Sequence, residues 1–235
     1  MLCQFTVKNF KSIRDEATFD MQAAAISEHE NRIIIDKDEE KYLPVSAIYG
    51  PNGGGKSNVL AALHTLVAKV LRPLFATEDS EEKVLLQKKL IVEPFAFSQS
   101  KDGSTEFELF FRTTVSEYRY ILHVKRDIVL YESLDRVKLE TGRKSALFTR
   151  DENGIILKGA FAKLKVSNEL SKTLTLLSYL GIAYKGNAVV KDVLSWFEYG
   201  IEFLNYGNPI QELRMAVSTS EEVKQLMLQM IQEMD

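Results

Sequence analysis

Residues 49–58, which read YGPNGGGKSN, constrain this chain more than any other part of its sequence. An apolar run, LPVSAIYG, leads into them, and from Ser57 onward apolar residues recur at helical spacing. Glycine tolerates positive φ and leaves no side chain between the backbone and a ligand. We therefore predict a tight turn between a strand and a helix, with a backbone that approaches a bound molecule closely.

The segment follows the pattern G-x-x-x-x-G-K-[ST]. In such a loop, successive backbone N–H groups donate to polyphosphate oxygens, and the N-terminus of the following helix adds further donors. Lys56 brings a positive charge to the β- and γ-phosphates, and the Ser57 hydroxyl is a ligand for Mg²⁺. With Lys56 as its catalytic residue, the predicted nucleotide site comprises Gly50, Asn52, Gly53, Gly54, Gly55, Lys56 and Ser57.

Short apolar and alternating runs before the loop predict strands. They read CQFTVKNF, ATFDMQA, RIII and LPVSAIYG, and the last of them enters the loop directly. Beyond the loop, the apolar residues Val59, Leu60 and Leu63 begin a helical pattern that we expect Pro73 to end, just after Arg72. A strand, a loop and a helix in this order are the context that the phosphate-loop pattern requires.

The spacing of the apolar residues changes in the middle of the chain, from a helical to an alternating pattern. Residues 77–89, TEDSEEKVLLQKK, are predicted to form a solvated connector or a short helix. From about residue 105 to 158 the apolar residues alternate, with Phe107, Leu109 and Phe111 on one face and the set Tyr118, Tyr120, Leu122 and Val124 on another. The turn sequence DENG before IILKG predicts a hairpin. We therefore expect an antiparallel meander.

Helical patterns return in residues 168–181, 188–200 and 218–235. We expect Gly181 to cap the first of these helices, and Ser218 and Glu221 have capping-box spacing at the start of the last. The last pattern has no glycine, proline or basic turn before Asp235, so we expect it to continue in a longer protein.

Composition limits the partners and the compartment. The net charge of −3 and the pI near 5.8 leave no broad basic surface, so any DNA contact has to be local. The single cysteine, Cys3, excludes an internal disulfide and a cysteine-based zinc site, which fits a reducing compartment. Neither a run of about 18 apolar residues nor a signal-peptide pattern occurs. We expect a cytoplasmic protein with no membrane partner.

Two stretches carry a resemblance to a known group of proteins. FTVKNFKSIRDEATFD, followed by SAIYGPNGGGKSNVLAAL, is similar to the N-terminal lobe of the ATP-binding-cassette heads of SMC and RecF proteins. It resembles most closely the prokaryotic AAA-family ATP-binding proteins related to OLD-type nucleases and phage-defence ATPases. VEPFAFSQSKDGSTEFELFF, EYRYILHV and IVLYESL resemble their antiparallel lobe, and LLSYLG with VLSWFEYGIEFLN resembles their helical arm.

The resemblance implies an α/β P-loop NTPase of the ABC-head type. Residues 1–75 would form its β/α core, 76–160 the antiparallel β lobe and 161–235 the helical arm. In those families an NF(K/R)S strand lies beside the phosphate loop, so Lys11 and Ser12 would lie near the phosphates of ATP, and Asn58 would flank them after Ser57. For Lys11 and Ser12, a solvated edge strand is the competing interpretation.

Several groups needed for hydrolysis are missing from the pattern. A cassette ATPase needs an acidic residue after a second apolar strand, a neighbouring carboxylate and a serine-glycine signature. We interpret Asp36 and Glu132 as structural, and LSYLG at residues 177–181 lacks the adjacent glycines of a signature. Gln87 and Gln99 lie where a γ-phosphate sensor is expected, but neither has a convincing context.

Other candidate residues are predicted to be structural. The three histidines, His29, His64 and His123, have neither metal nor triad spacing. Trp196 and Phe197 are expected in the core, and strand packing is the better interpretation of Tyr118 and Tyr120 than stacking on a base.

These patterns leave three functional hypotheses. The first is the ATP-binding half of a nucleotide-gated dimer in DNA-associated or phage-defence processes, with ATP and Mg²⁺ as cofactors and a nuclease or effector as a further partner. The second is a naturally short, non-catalytic nucleotide-sensing subunit. The third, a P-loop kinase or GTPase, is disfavoured because the meander interrupts the βαβ alternation of those folds.

Overall fold

A computed structural model describes residues 1–25, 30–75, 90–97, 103–167 and 170–203, together with Gln225. The chain divides into two compact units, Met1–Ile201 and Glu202–Asp235. Only Glu202, Phe203 and Gln225 of the second unit are described. The predicted connector at 77–89 and the predicted last helix at 218–235 therefore lie outside the described residues, Gln225 excepted.

A seven-stranded sheet forms most of the first unit. Its strands lie in the order β2-β1-β5-β6-β7-β8-β9, and every neighbouring pair is antiparallel. A separate two-stranded sheet pairs β3 with β4. The strands are β1 (Leu2–Lys8), β2 (Ala17–Asp20), β3 (Ile34–Ile35), β4 (Lys41–Tyr42), β5 (Thr105–Arg112), β6 (Ser116–Lys125), β7 (Ile128–Lys138), β8 (Lys144–Asp151) and β9 (Gly154–Leu157).

The predicted meander is confirmed, including the hairpin at DENG, which joins β8 to β9. One detail of its prediction is wrong. Phe107 lies opposite Leu122 and Phe111 opposite Tyr118, so the apolar sets of β5 and β6 share one face of the sheet rather than occupying two. Directly opposed residues of an antiparallel pair point the same way, which the alternation of a single strand cannot reveal.

Among the described residues, three helices cover the buried face of this sheet: α1 (Lys56–Phe75), α2 (Leu176–Ala183) and α3 (Ala188–Tyr199). Short 3-10 turns occupy Glu30–Arg32 and Gly159–Phe161. The ring of Phe111 lies 4.5 Å from that of Trp196, and Ser178 Oγ donates to Val70 O at 2.6 Å. The core positions predicted for Trp196 and Phe197 are confirmed.

Two helix ends differ from their predictions. Pro73 lies inside α1, which extends to Phe75, because a proline in the last turn removes only one of the helix's hydrogen bonds. Gly181 does not cap a helix but lies within α2, where an added Cβ would meet Leu194 Cδ1 at 2.6 Å and Leu74 Cδ2 at 2.7 Å. That glycine therefore allows close packing, and the helix predicted from residue 168 begins only at Leu176.

By length and composition, α1 is apolar enough to cross a membrane. It nevertheless buries Ala62, Leu63, Leu66, Val67, Lys69 and Val70 within the unit. Lys69 is the unusual member, and its ammonium donates to Asp127 O at 2.8 Å while burial lowers its pKa. This pattern is typical of a core helix.

Candidate phosphate-binding site

The glycine segment forms an exposed loop directly before α1. Gly53 and Gly55 adopt left-handed φ values of 80° and 85°, which side chains disfavour. At Gly54 an added Cβ would stand 3.0 Å from Pro51 O, and at Gly55 it would stand 2.9 Å from Ser12 Oγ. The loop therefore needs glycine at consecutive positions for conformation and for space.

The loop ends in a cluster of backbone donors. The amides of Gly53, Gly55, Lys56 and Ser57 form no hydrogen bond with any described residue. The first turn of α1 contains no acidic residue, so nothing there offsets the positive end of the helix dipole. Such a set of donors with a positive potential favours an anion.

Lys56 closes over this loop. Its ammonium donates to Gly50 O at 2.7 Å and to Pro51 O at 2.8 Å. The Ser57 hydroxyl is exposed and has no partner in the described part of the chain. The two side chains predicted to meet phosphate and Mg²⁺ thus lie at the start of α1, beside the unpartnered amides.

The NFKS segment is a tight turn, not the strand that was predicted. β1 ends at Lys8, and Phe10 N and Ile13 N donate to each other's carbonyls across a turn in which Lys11 has a φ of 48°. Phe10 is buried against Phe107, with ring centroids 6.1 Å apart, so the chain must reverse at the surface. Both the predicted strand and the competing edge strand are therefore wrong.

Asn9 fixes this turn to the rest of the unit. Its Nδ2 donates to Ser104 O at 2.9 Å, its Oδ1 accepts from Phe95 N at 3.0 Å, and its carbonyl accepts from Thr105 Oγ1 at 2.6 Å. The sequence motif that contains Asn9 does not predict this role. The signal was the polar residue between the alternating strand and buried Phe10.

The structure brings Ser12 and Asn58 together at the loop. Asn58 Nδ2 donates to Ser12 Oγ at 2.7 Å, and Ser12 Oγ faces Gly55. Lys11 does not reach the loop: its amide donates to Glu93 O at 3.0 Å and its ammonium lies 5.5 Å from the Phe10 ring centroid. The turn thus contacts the loop through its serine.

The strand predicted before the loop is absent. Residues 44–50 form no strand, and Val45 and Tyr49 are 79% and 90% exposed. A strand needs a neighbour to take up its backbone hydrogen bonds, and among the described residues none lies beside this segment. The apolar pattern here has no covering partner in the part of the chain that the structure describes.

The two acidic candidates are structural, as predicted. Asp36 Oδ2 accepts from Arg112 at 3.0 Å. Glu132 is fully buried and accepts from Leu176 N at 2.6 Å and from Leu177 N at 2.9 Å, which caps α2. Burial raises the pKa of Glu132, against the lowering effect of these amides. No local sequence pattern predicts this cap.

The tyrosine pair also meets its expectation of strand packing. Tyr118 and Tyr120 are fully buried and donate to Asp192 and Glu132. No group of three metal-ligating side chains occurs among the described residues, which include His64 and His123. His29, Gln87 and Gln99 lie outside them.

Comparison with known proteins agrees with this geometry. No curated protein sequence matches the chain. Residues 45–187 match the family described as "AAA domain, putative AbiEii toxin, Type IV TA system". The match begins just before the glycine loop, includes α1, β5 to β9 and α2, and covers more than half of the chain. The mixed α/β architecture with its mostly antiparallel sheet fits such a domain, and the chain therefore belongs to this family of P-loop AAA-type ATPase domains, whose function is of the nucleotide-binding, ATPase-like kind.

Proposed function

We propose that the chain binds ATP with Mg²⁺ through the loop at residues 50–57. The observation that carries this proposal is the cluster of unpartnered amides at Gly53, Gly55, Lys56 and Ser57, next to a lysine ammonium. Donors in this arrangement match the oxygens of a polyphosphate. The narrow positions at Gly54 and Gly55 let the backbone approach the phosphates without a side chain between.

The residues fit the nucleotide better than they fit an isolated metal ion. Lys56 exchanges the carbonyls of Gly50 and Pro51 for phosphate oxygens, because a charged acceptor binds an ammonium more strongly than a neutral one. Ser57 offers one hydroxyl to Mg²⁺, and the remaining ligands would come from phosphates and water. Bound Mg²⁺ would neutralise phosphate charge, while the chain's own residues bind and orient the nucleotide.

We propose that this chain binds ATP but needs further residues to hydrolyse it. The two acidic candidates have structural partners, and Glu132 is fully buried beneath α2. We propose that the carboxylates and the signature come from further polypeptide, and that ATP gates a homodimer, as the resemblance to ATP-binding-cassette heads implies. The exposed apolar segment 44–50 supports this, because a further lobe would cover it.

From the resemblance, we further propose a role in DNA-associated or defence processes, with a nuclease or effector as partner. A non-catalytic nucleotide-sensing subunit uses the same loop and differs from the gated dimer only in lacking turnover. A self-sufficient kinase or GTPase is disfavoured, since every strand pair in the described residues is antiparallel.

Calorimetric titration tests the proposal. The purified chain and its Lys56→Ala variant are titrated with ATP and then with GTP, each with Mg²⁺. Lys163→Ala serves as the control, because Lys163 is an exposed lysine just after the 3-10 turn at Gly159–Phe161. We expect ATP binding by the chain and by the control, and a loss of about 30-fold or more in Lys56→Ala, since charge-assisted hydrogen bonds contribute roughly 2 kcal/mol. Equal binding by all three proteins would refute the loop as the nucleotide site.

Turnover separates the remaining alternatives. Phosphate release from ATP is followed with the chain alone at several protein concentrations. We expect little or no turnover, because the two acidic candidates, Asp36 and Glu132, already have structural partners. Robust turnover that is independent of concentration would contradict the half-site proposal and favour a self-sufficient enzyme.

A further inference from the structure

A cavity separate from the glycine loop lies where the turn between β5 and β6 meets the end of β7. Its volume is about 520 Å³, within the range of small-molecule sites. Its wall is formed by Lys37, Thr114, Val115, Arg136, Lys138 and Glu140, among others. Three of these side chains are cations and one is a carboxylate.

Within the described part of the chain, none of the three cations has a carboxylate partner. Lys37, Arg136 and Lys138 form no ion pair with any residue that the structure describes. Other basic residues of the sheet do: Arg112, Arg119 and Arg150 each lie within 4.0 Å of a carboxylate. Like charges that converge without a counter-ion repel one another, so an anion in this cavity would relieve the repulsion.

Arg136 is held ready for such an anion. Its Nε donates to Ser116 Oγ at 2.8 Å, and its guanidinium lies 5.9 Å from the Tyr118 ring centroid. Ser116 and Tyr118 are both fully buried. The terminal nitrogens keep their donors for a ligand, and a guanidinium held in place loses little entropy when it binds the oxygens of an anion.

Nearby carboxylates are directed elsewhere. Asp36 and Asp38 flank Lys37 in sequence, but their oxygens accept from Arg112 at 3.0 and 2.7 Å. Among the described residues, the ammonium of Lys37 makes one hydrogen bond, a long one to Thr114 O at 3.4 Å. Lys37 can therefore turn toward an anion without breaking an ion pair.

We propose that this cavity is an anion site that binds the phosphate groups of a phosphorylated ligand. Three cations against one carboxylate match a ligand with more than one negative charge, and the volume accommodates a triphosphate or a short stretch of phosphodiester. Thr114 offers a hydroxyl, and Val115 offers an apolar surface to the rest of the ligand.

The cavity is remote from the glycine loop. β5 begins at Thr105, which donates to Asn9 beside the loop, and ends at Arg112, just before the cavity residue Thr114. Eight residues of strand span about 25 Å. Binding at the cavity therefore does not depend on the loop, and each site can be tested with the other disabled.

The test uses the whole chain with the loop disabled by Lys56→Ala. Sodium tripolyphosphate is titrated calorimetrically into this variant at low salt, because surface electrostatics are screened at high salt. We expect one binding site, weakened about tenfold by Arg136→Gln and about tenfold by Lys138→Gln. Lys163→Gln, an exposed lysine outside the cavity, is the matched control and should not change the affinity.

Either of two outcomes would overturn the proposal. The first is that the Lys56→Ala variant does not bind tripolyphosphate. The second is that a variant carrying Arg136→Gln and Lys138→Gln together with Lys56→Ala binds it as tightly as Lys56→Ala alone. Urea midpoints show whether each variant is folded, and Lys138 is exposed, so Lys138→Gln provides a readout even where Arg136→Gln unfolds. A failure of the proposed nucleotide function would look different, because ATP binding would then be unchanged by Lys56→Ala while cavity binding persisted.

Two further titrations identify the source of the phosphate. A single-stranded oligonucleotide of about 20 nucleotides that displaces tripolyphosphate, with strong salt dependence, would indicate nucleic-acid phosphates. Displacement by ATP but not by the oligonucleotide would indicate a free phosphorylated molecule. Displacement by neither, with tripolyphosphate binding equally weakened by Lys163→Gln, would contradict a specific site.

Discussion

The backbone N–H donors at two helix N-termini in this molecule have opposite surroundings. At α2, the amides of Leu176 and Leu177 donate to Glu132, a buried carboxylate from β7. At α1, the amides of Gly53, Gly55, Lys56 and Ser57 form no hydrogen bond with any described residue, and the first turn has no acid. One end contains its own anion, and the other is exposed and open to one.

The difference separates stability from binding. The donors of any helix N-terminus need an acceptor, which can be a side chain, water or a ligand. Where the protein supplies a buried acceptor, removal costs folding free energy. Where solvent supplies it, the same donors remain free to bind a phosphate. Variants at α2 should therefore change stability alone, and variants at the loop should change binding alone.

The largest effect is expected from Glu132→Ala. This substitution leaves two amides and the Tyr120 hydroxyl without their buried acceptor, and it removes the carboxylate that lies 4.0 Å from Arg150. Removing one partner of such a network costs about 3–5 kcal/mol. Urea denaturation measures the loss, with exposed Glu152→Ala as the control and Glu132→Gln expected between the two. A loss below about 1 kcal/mol would contradict the cap.

The next effect is expected from Gly55→Ala. Gly55 has a left-handed φ of 85°, and the Cβ that alanine adds would lie 2.9 Å from Ser12 Oγ. Together these two effects destabilise the loop's binding conformation by about 2–3 kcal/mol. ATP affinity should fall about a hundredfold, with the melting temperature nearly unchanged because the loop is exposed. Gly186→Ala, where the added Cβ meets nothing within 4 Å, is the matched control. A large loss of stability without a loss of affinity would break the comparison.

Ser12→Ala sharpens the same comparison. It removes the acceptor of Asn58 Nδ2 at the rim of the loop. Because one exposed hydrogen bond contributes about 1 kcal/mol, we expect ATP affinity to fall about fivefold with no change in the urea midpoint. Thr18→Ala, which removes a hydroxyl from neighbouring β2, is the control. An unchanged affinity would show that the turn does not position the loop.

The smallest effect concerns a carboxylate that is paired inside the molecule, away from both helix ends. The hydrogen bonds from Arg112 lower the pKa of Asp38 below its ordinary value of 3.8. A lowered pKa contributes stability above the ordinary pKa and loses it as the pH falls through the folded-state pKa. Asp38→Asn should therefore be less stable than the parent near neutral pH, by about 0.5–1 kcal/mol, and equally stable at low pH.

Urea denaturation at a series of pH values measures this difference. Glu39→Gln, at an exposed neighbour of Asp38, is the control. A difference between parent and Asp38→Asn that grew as the pH fell would contradict the sign of the shift. Nucleotide affinity should be the same in both proteins, because the pair lies at the far end of β5 from the loop.

Much of this organisation could be predicted because it depends on neighbours along the chain. The loop pattern, the alternation of β5 and β6, the hairpin at DENG and the core position of Trp196 each follow from spacing within a few residues. Predictions based on a single strand or helix end went wrong where another segment decided the outcome, as at Gly181 and in the shared face of Phe111 and Tyr118.

By itself, then, the sequence determined the local features of the proposed phosphate loop: glycines where φ is positive, and lysine and serine at the start of a helix. Only the tertiary structure decided which donors stay open. Glu132 reaches α2 across 44 residues and Ser12 reaches Asn58 across 46, and no local pattern encodes such contacts. The physical reason is that backbone conformation is set largely by adjacent residues, whereas the partner of a polar group is set by the chain topology that brings distant segments together.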